Sequence, residues 1–148
     1  MRAYFDHEKL DVYQLELAFI EWVTPLLAKI KQSATTARTA EVIDQLDRAS
    51  LSALLHTAEG NGRRQRQTRA KFLDDARGSV TECAACLDAL VAKRVCTENE
   101  IEEGKQLLLR IASMLTKLVA RFDPSSSSVR EEPGEDEDEQ EHDSQEIE

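Results

Sequence analysis

Apolar residues recur at helical spacing in four stretches of this chain. The first, from about His7 to Lys31, carries two adjacent stripes, Tyr13, Leu17, Ile20 and Leu27 on one and Val12, Leu15, Phe19, Trp22 and Leu26 on the other. That face is wider than one packing seam requires. The excess predicts contact with a second subunit, with a deeply buried helix in a monomer as the alternative. Pro25 lies inside the pattern and is expected to kink the helix or weaken its last turns.

After a loop-like run from Ser33 to Thr39, the second stretch reaches about Glu59. Val42, Leu46, Ala49 and Ala53 lie on one side, with Leu51, Leu54, Leu55 and Ala58 close by. Gly60, Asn61 and Gly62 then stop it, since glycine accepts the left-handed cap that other residues resist. The third stretch resumes around Arg64 with the cleanest periodicity: Leu73, Ala76, Val80, Cys83, Leu87 and Leu90, spaced alternately by three and four, form a core seam. The fourth opens on Thr97, Glu98, Asn99 and Glu100, a capping box in which the first and last residues satisfy each other's backbone N–H groups. Its seam follows as Ile101, Leu108, Ile111, Leu115, Leu118 and Phe122.

Four amphipathic segments with short connections predict an all-α fold, an antiparallel up-down-up-down four-helix bundle over residues 1–122. The pattern ends there. Pro124, the serines 125–128, Pro133, Gly134 and the acidic block 135–139 predict a disordered acidic tail over residues 123–148. Three prolines and five glycines in 148 residues suit a helical class, and the length suits one domain with its own core.

Charge divides the chain the same way. Residues 1–122 hold 18 Lys and Arg against 17 Asp and Glu, a balance of +1, while 123–148 hold one Arg against 12 acids, a balance of −11. The net charge of −10 therefore belongs to the tail. The N-terminal residues have no apolar run, and no stretch approaches the ~20 apolar residues that span a bilayer, so a cytoplasmic protein with no membrane partner is expected. Cys83, Cys86 and Cys96 read as reduced thiols there.

Arg63, Arg64, Arg66, Arg69 and Lys71 put five cations into nine residues at a predicted helix start. They are the candidate nucleic-acid-binding residues, because guanidinium forks match phosphate oxygens and helix N-terminal N–H groups add attraction. The bland alternative is a solvated helix start paired with Glu59, Asp74 or Asp75. No aromatic residue lies among the five in sequence for base stacking.

Cys83 and Cys86 have the spacing of half a zinc site but fall on the core seam with no second pair, and read as buried small residues. His56 and Glu59, three apart, have the spacing of half a di-metal site in reversed order, far short of the ligands such a site needs. No metal or cofactor is expected. Arg48, Ser52, Glu59 and Glu82 border the apolar seams, and Arg48 is expected to face the level of Asp74 and Asp75 in a register-fixing ion-pair network. Gly78–Ser79 is expected at a close helix or subunit approach.

Gln45-Leu46, Arg48-Ala49, Ser52, Ala58-Glu59-Gly60, Gly62-Arg63-Arg64, Phe72-Leu73, Ala76, Gly78-Ser79 and Glu82 together resemble, without a gap, the signature of the four-helix-bundle proteins first noted in intervening sequences of bacterial 23S ribosomal RNA genes. The resemblance covers about residues 8–122. It implies an up-and-down helical bundle assembled as a ring-like homo-oligomer, a pentamer, with no established catalytic activity. A related branch, the accessory variability determinant of diversity-generating retroelements, is a cationic pentameric bundle that works with a reverse transcriptase and nucleic acid. Two departures stand out: His56 occupies a position where members often carry Asn, and the acidic tail is not part of the family pattern.

The reading is therefore a non-catalytic oligomeric scaffold that binds RNA or DNA, or a nucleic-acid-processing protein, through the basic patch. The alternative is a structural or protein-interaction module whose acidic tail recruits a basic partner, with no nucleic-acid binding. An enzyme is the third choice, for the sequence announces no nucleophile–base pair, glycine-rich phosphate loop or convergent carboxylates.

Overall fold

The structure, a computed structural model, describes residues 4–33 and 37–123. The predicted disordered tail lies outside those residues except for Asp123. A short 3-10 turn, Asp6–Lys9, leads into four helices: α1 (Asp11–Gln32), α2 (Ala40–Asn61), α3 (Arg66–Ala92) and α4 (Glu98–Phe122). No strand occurs among the described residues.

Cross-helix contacts give the register. Glu16 meets Thr57 and Asp6 meets Asn61, tying the start of α1 to the end of α2. Ser79 meets Ser52 while Phe72 lies against Gly60. Lys105 meets Asp88 and Thr116 meets Arg77. Glu100 meets Lys29 and Gly104 meets Trp22. In every pair the numbers run in opposite senses, so the four helices form an up-and-down bundle in which α4 closes back on α1.

The core runs along the bundle axis. Leu46, Leu87, Leu90, Ile111 and Leu115 are the largest side chains sealed from solvent, each contributing about 1.5–3 kcal/mol of burial. All six residues of the predicted α3 seam are buried, as are Ile101, Leu108, Ile111, Leu115 and Leu118 on α4. The predicted capping box closes α4: the Thr97 N–H donates to Glu100 Oε1 at 2.8 Å and the Glu100 N–H to Thr97 Oγ1 at 3.1 Å.

Several expectations are corrected. The buried stripe of α1 is Val12, Glu16, Phe19, Val23, Leu27 and Ile30, which mixes the two predicted stripes and includes a carboxylate. Pro25 does not end the helix: α1 runs on to Gln32 with Pro25 inside it on the exposed face. Gly62 is not left-handed (φ −86°); among the described residues the only positive φ is that of Arg94 (67°), where the chain leaves α3. Arg48 is exposed and pairs along its own helix with Asp44 at 3.4 Å, while Asp74 pairs with Arg77 and Asp75 with Lys71. The cross-helix network does not form: Ser52 stands opposite Ser79 and Gly60 opposite Phe72, a register that puts Arg48 near the level of Cys83 and more than two turns from Asp74 and Asp75, so each charge pairs within its own helix. Within the chain a Cβ built at Gly78 meets nothing within 4 Å, and the helix approach is made by its neighbour Ser79, which meets Ser52 of α2.

Candidate nucleic-acid interface

At one end of the bundle the C-termini of α2 and α4 stand beside the N-terminus of α3, and the five candidate cations gather there. α2 ends without a side-chain cap, its Glu59 and Gly60 carbonyls accepting from the N–H groups of Gly62 and Arg63. Gly60 lets the turn pack tightly: a Cβ at this position would stand 2.9 Å from the Cβ of Phe72. α3 starts with no acid in its first turn. On that helix alone, cations at the positive end of the dipole are misplaced. Their neighbours explain them.

Arg69 donates to the Asn61 carbonyl at 2.6 Å, the last carbonyl of α2, and Arg66 donates to the Arg121 carbonyl in the last turn of α4. Each arginine thus serves a helix C-terminus that would otherwise keep an orphan carbonyl. The guanidinium carbons of Arg66 and Arg69 lie 5.2 and 4.6 Å from the ring centroid of Phe122, and that of Arg63 lies 4.8 Å from that of Phe72. Cation–π contact adds to the hold. The aromatic residues missing from the basic segment in sequence are therefore supplied from further along α3 and from α4. Phe72 falls inside the α3 helix and Phe122 fifty residues later, so only the tertiary fold reveals them as the floor of the cluster.

The five cations differ in what remains of their charge. Arg63 is 2.5 Å from Glu59, and Lys71 is 3.7 Å from Asp75. No carboxylate among the described residues comes within ion-pair range of Arg64, Arg66 or Arg69. Arg64 is exposed and, among the described residues, makes no hydrogen bond. The site thus has one open arginine, two arginines anchored on carbonyls with their charge uncompensated, and two ion-paired cations at its margins. Such an arrangement has the chemistry to accept phosphates, because carbonyl contacts orient a guanidinium without cancelling its charge.

The other candidates disperse. His56 Nδ1 faces the Ser52 carbonyl at 3.0 Å and the Ser52 hydroxyl at 3.1 Å, while Glu59 turns to Arg63, so the two do not converge on a common point. Cys83 is buried in the core, where burial pushes its thiol up to about 12, and Cys86 is half-buried with its thiol also raised by burial. Glu82 is exposed.

Among the buried polar residues that the sequence candidates leave out are Glu16, at 3% exposure, and Thr57, at 0%. The Thr57 hydroxyl donates to Glu16 Oε2 at 2.7 Å, leaving Oε1 without a partner. The signal lies in the spacing: Glu16 comes four residues after Val12 and three before Phe19, in phase with the buried stripe.

No curated protein matches this chain. The family model for the 23S rRNA-intervening sequence protein does match it, over residues 8–117, which takes in α1, α2, α3, most of α4 and the whole basic segment but stops short of Phe122 and the acidic tail. With that match spanning well over half of the sequence, the chain belongs to the 23S rRNA-intervening sequence protein family.

Proposed function

We propose that the protein is a non-catalytic scaffold that assembles with further copies of itself, five in the number the family resemblance implies, and offers the Arg64, Arg66 and Arg69 end of each bundle to RNA, DNA or a nucleic-acid-processing protein. The observation that carries the nucleic-acid reading is the uncompensated charge of those three arginines at a single end of the bundle. In an oligomer the cluster repeats around the assembly, and several weak phosphate contacts combine through effective concentration. Assembly is supported by Leu51 and Leu55, 50% and 55% exposed one turn apart on the outer face of α2.

A second reading is favoured by the carbonyl contacts themselves. Arg66 and Arg69 complete two helix ends, a task they would have without any ligand, which suits a protein-interaction module whose acidic tail recruits a basic partner. Salt separates the two. Fluorescence anisotropy of a labelled structured RNA with the full chain should show binding that weakens steeply between about 50 and 200 mM salt. Arg64→Gln, which disturbs no helix end, should lower affinity by roughly threefold to tenfold at low salt. Absence of binding at the lowest salt would leave the protein-interaction module in possession.

A further inference from the structure

α4 delivers the rest of the chain to the basic end. Phe122 rests under Arg66 and Arg69, and Asp123 follows as the C-cap of α4, so the described chain ends one residue past the ring on which the cluster rests. Residues 124–148 carry 11 acids and one cation, Arg130. Only seven residues, 124–130, separate Asp123 from the first of those acids, Glu131. Seven residues span at most about 25 Å. The acids of 131–141 are therefore tethered within reach of Arg64, Arg66 and Arg69, at an effective concentration on the order of millimolar.

We infer that the acidic segment 131–141 occupies the Arg64–Arg66–Arg69 end of its own bundle and is the resident occupant that any polyanion must displace. Charge complementarity commits the site to this segment. The three arginines lack a carboxylate among the described residues, and the segment is a dense run of carboxylates with Glu131, Glu132 and the block 135–139 in close succession. A run of carboxylates presents acceptors at a density comparable to a phosphate backbone, which is the geometry that guanidinium forks accept. The contact is mostly solvent-exposed and is weakened by salt. Occupancy of the arginines by the segment does not depend on nucleic-acid binding; its regulatory consequence, competition with RNA, rests on the scaffold reading above.

The test compares the full chain with a full-length variant whose segment is neutralised, Glu131→Gln, Glu132→Gln, Asp136→Asn and the equivalent changes through Glu141. Unchanged thermal midpoints establish that both are folded alike. The readout is the side-chain Nε–Hε resonances of Arg64, Arg66 and Arg69. At about 50 mM salt the two proteins should differ at these resonances, the difference should persist on dilution, and it should collapse by about 500 mM. RNA anisotropy on the same pair should show the neutralised variant binding about tenfold more tightly at low salt. Arginine resonances that superimpose at low salt would overturn the inference, as would a difference that disappears on dilution, since the occupant would then be another copy's segment. A salt-sensitive difference with no RNA binding by either protein would uphold the occupancy and remove the nucleic-acid reading.

Discussion

Glu16 stands on a stripe whose other members, Val12, Phe19, Val23, Leu27 and Ile30, are all apolar, and it is sealed beneath them with Thr57 as its hydrogen-bonding partner. Burial is the dominant influence and pushes its carboxyl from 4.5 up to about 8, with the Thr57 bond acting the other way. The sign follows from linkage. Below about pH 4.5 both folded and unfolded chains hold this proton, and the group adds no pH dependence. From there to about pH 8 the folded chain keeps the proton and the unfolded chain has lost it, so unfolding is increasingly favoured as pH rises, by about 1 kcal/mol per pH unit from this group. Above about pH 8 the folded carboxyl ionises too and the loss levels off. Glu16→Gln keeps the shape and removes the titration. Urea unfolding between about pH 5 and pH 8 should therefore show the variant gaining on the native protein by several kcal/mol as pH rises. Parallel stability profiles would show that Glu16 is ionised in the fold and stabilised by a group other than Thr57.

Two unlike glycines, one at a helix contact and one in open space, turn packing into a measurable contrast between elements. On α4, Gly104 is buried under Trp22 of α1, and a Cβ there would lie 2.2 Å from Trp22 Cζ3. On α3, a Cβ at Gly78 would meet nothing within 4 Å. Alanine improves helix propensity at both positions by about 1 kcal/mol. At Gly104 it must also displace the half-buried indole of Trp22, an overpacking cost of about 1–3 kcal/mol or more. Gly78→Ala should thus raise the thermal midpoint and Gly104→Ala should lower it, with a red shift in the emission of Trp22, the chain's single tryptophan. A Gly104→Ala protein with unaltered emission and stability would mean that α1 and α4 are not in close contact there. This element pair also marks what a sequence can reveal. The seam Leu73 to Leu90 and the Thr97–Glu100 box are legible because each is a local pattern whose meaning survives in any helical fold. Glu16 is not, because hydropathy alone assigns a carboxylate to solvent, although its spacing puts it in the seam. Arg48 misleads because a hairpin assumed to turn at Asn61 would bring it level with Asp74 and Asp75, whereas α3 begins only at Arg66 and the pairing of Ser52 with Ser79 carries those acids more than two turns away, leaving Asp44 as the partner. Arg66 and Arg69 suggest a phosphate patch from charge alone, and their work at the ends of α2 and α4 depends on helices that close only in three dimensions.

At the scale of the whole molecule, the outer face of α2 is one surface that the bundle's own packing leaves unaccounted for. Leu51 and Leu55 lie outside the core with about half of each side chain in solvent, flanked by the paired Asp44 and Arg48. A single exposed leucine is ordinary in a soluble protein, whereas a pair one turn apart with charged neighbours is the arrangement of an interface centre with a polar rim. Because neither leucine supports the core of its own chain, replacing both tests assembly without testing the fold. On the scaffold reading, Leu51→Gln with Leu55→Gln should leave the stability of the isolated bundle within about 0.5 kcal/mol of its original value, while sedimentation velocity should show the proposed assembly replaced by a species of single-chain mass. RNA affinity should fall with it by more than Arg64→Gln achieves, since a lone bundle presents one cluster where an assembly presents several on one surface. A variant that sediments like the native protein over a wide dilution range would place the subunit contact elsewhere, with exposed Leu109 on α4 as the next surface to test. Loss of assembly without loss of RNA affinity would separate the two halves of the scaffold reading, because one bundle's arginines would then suffice.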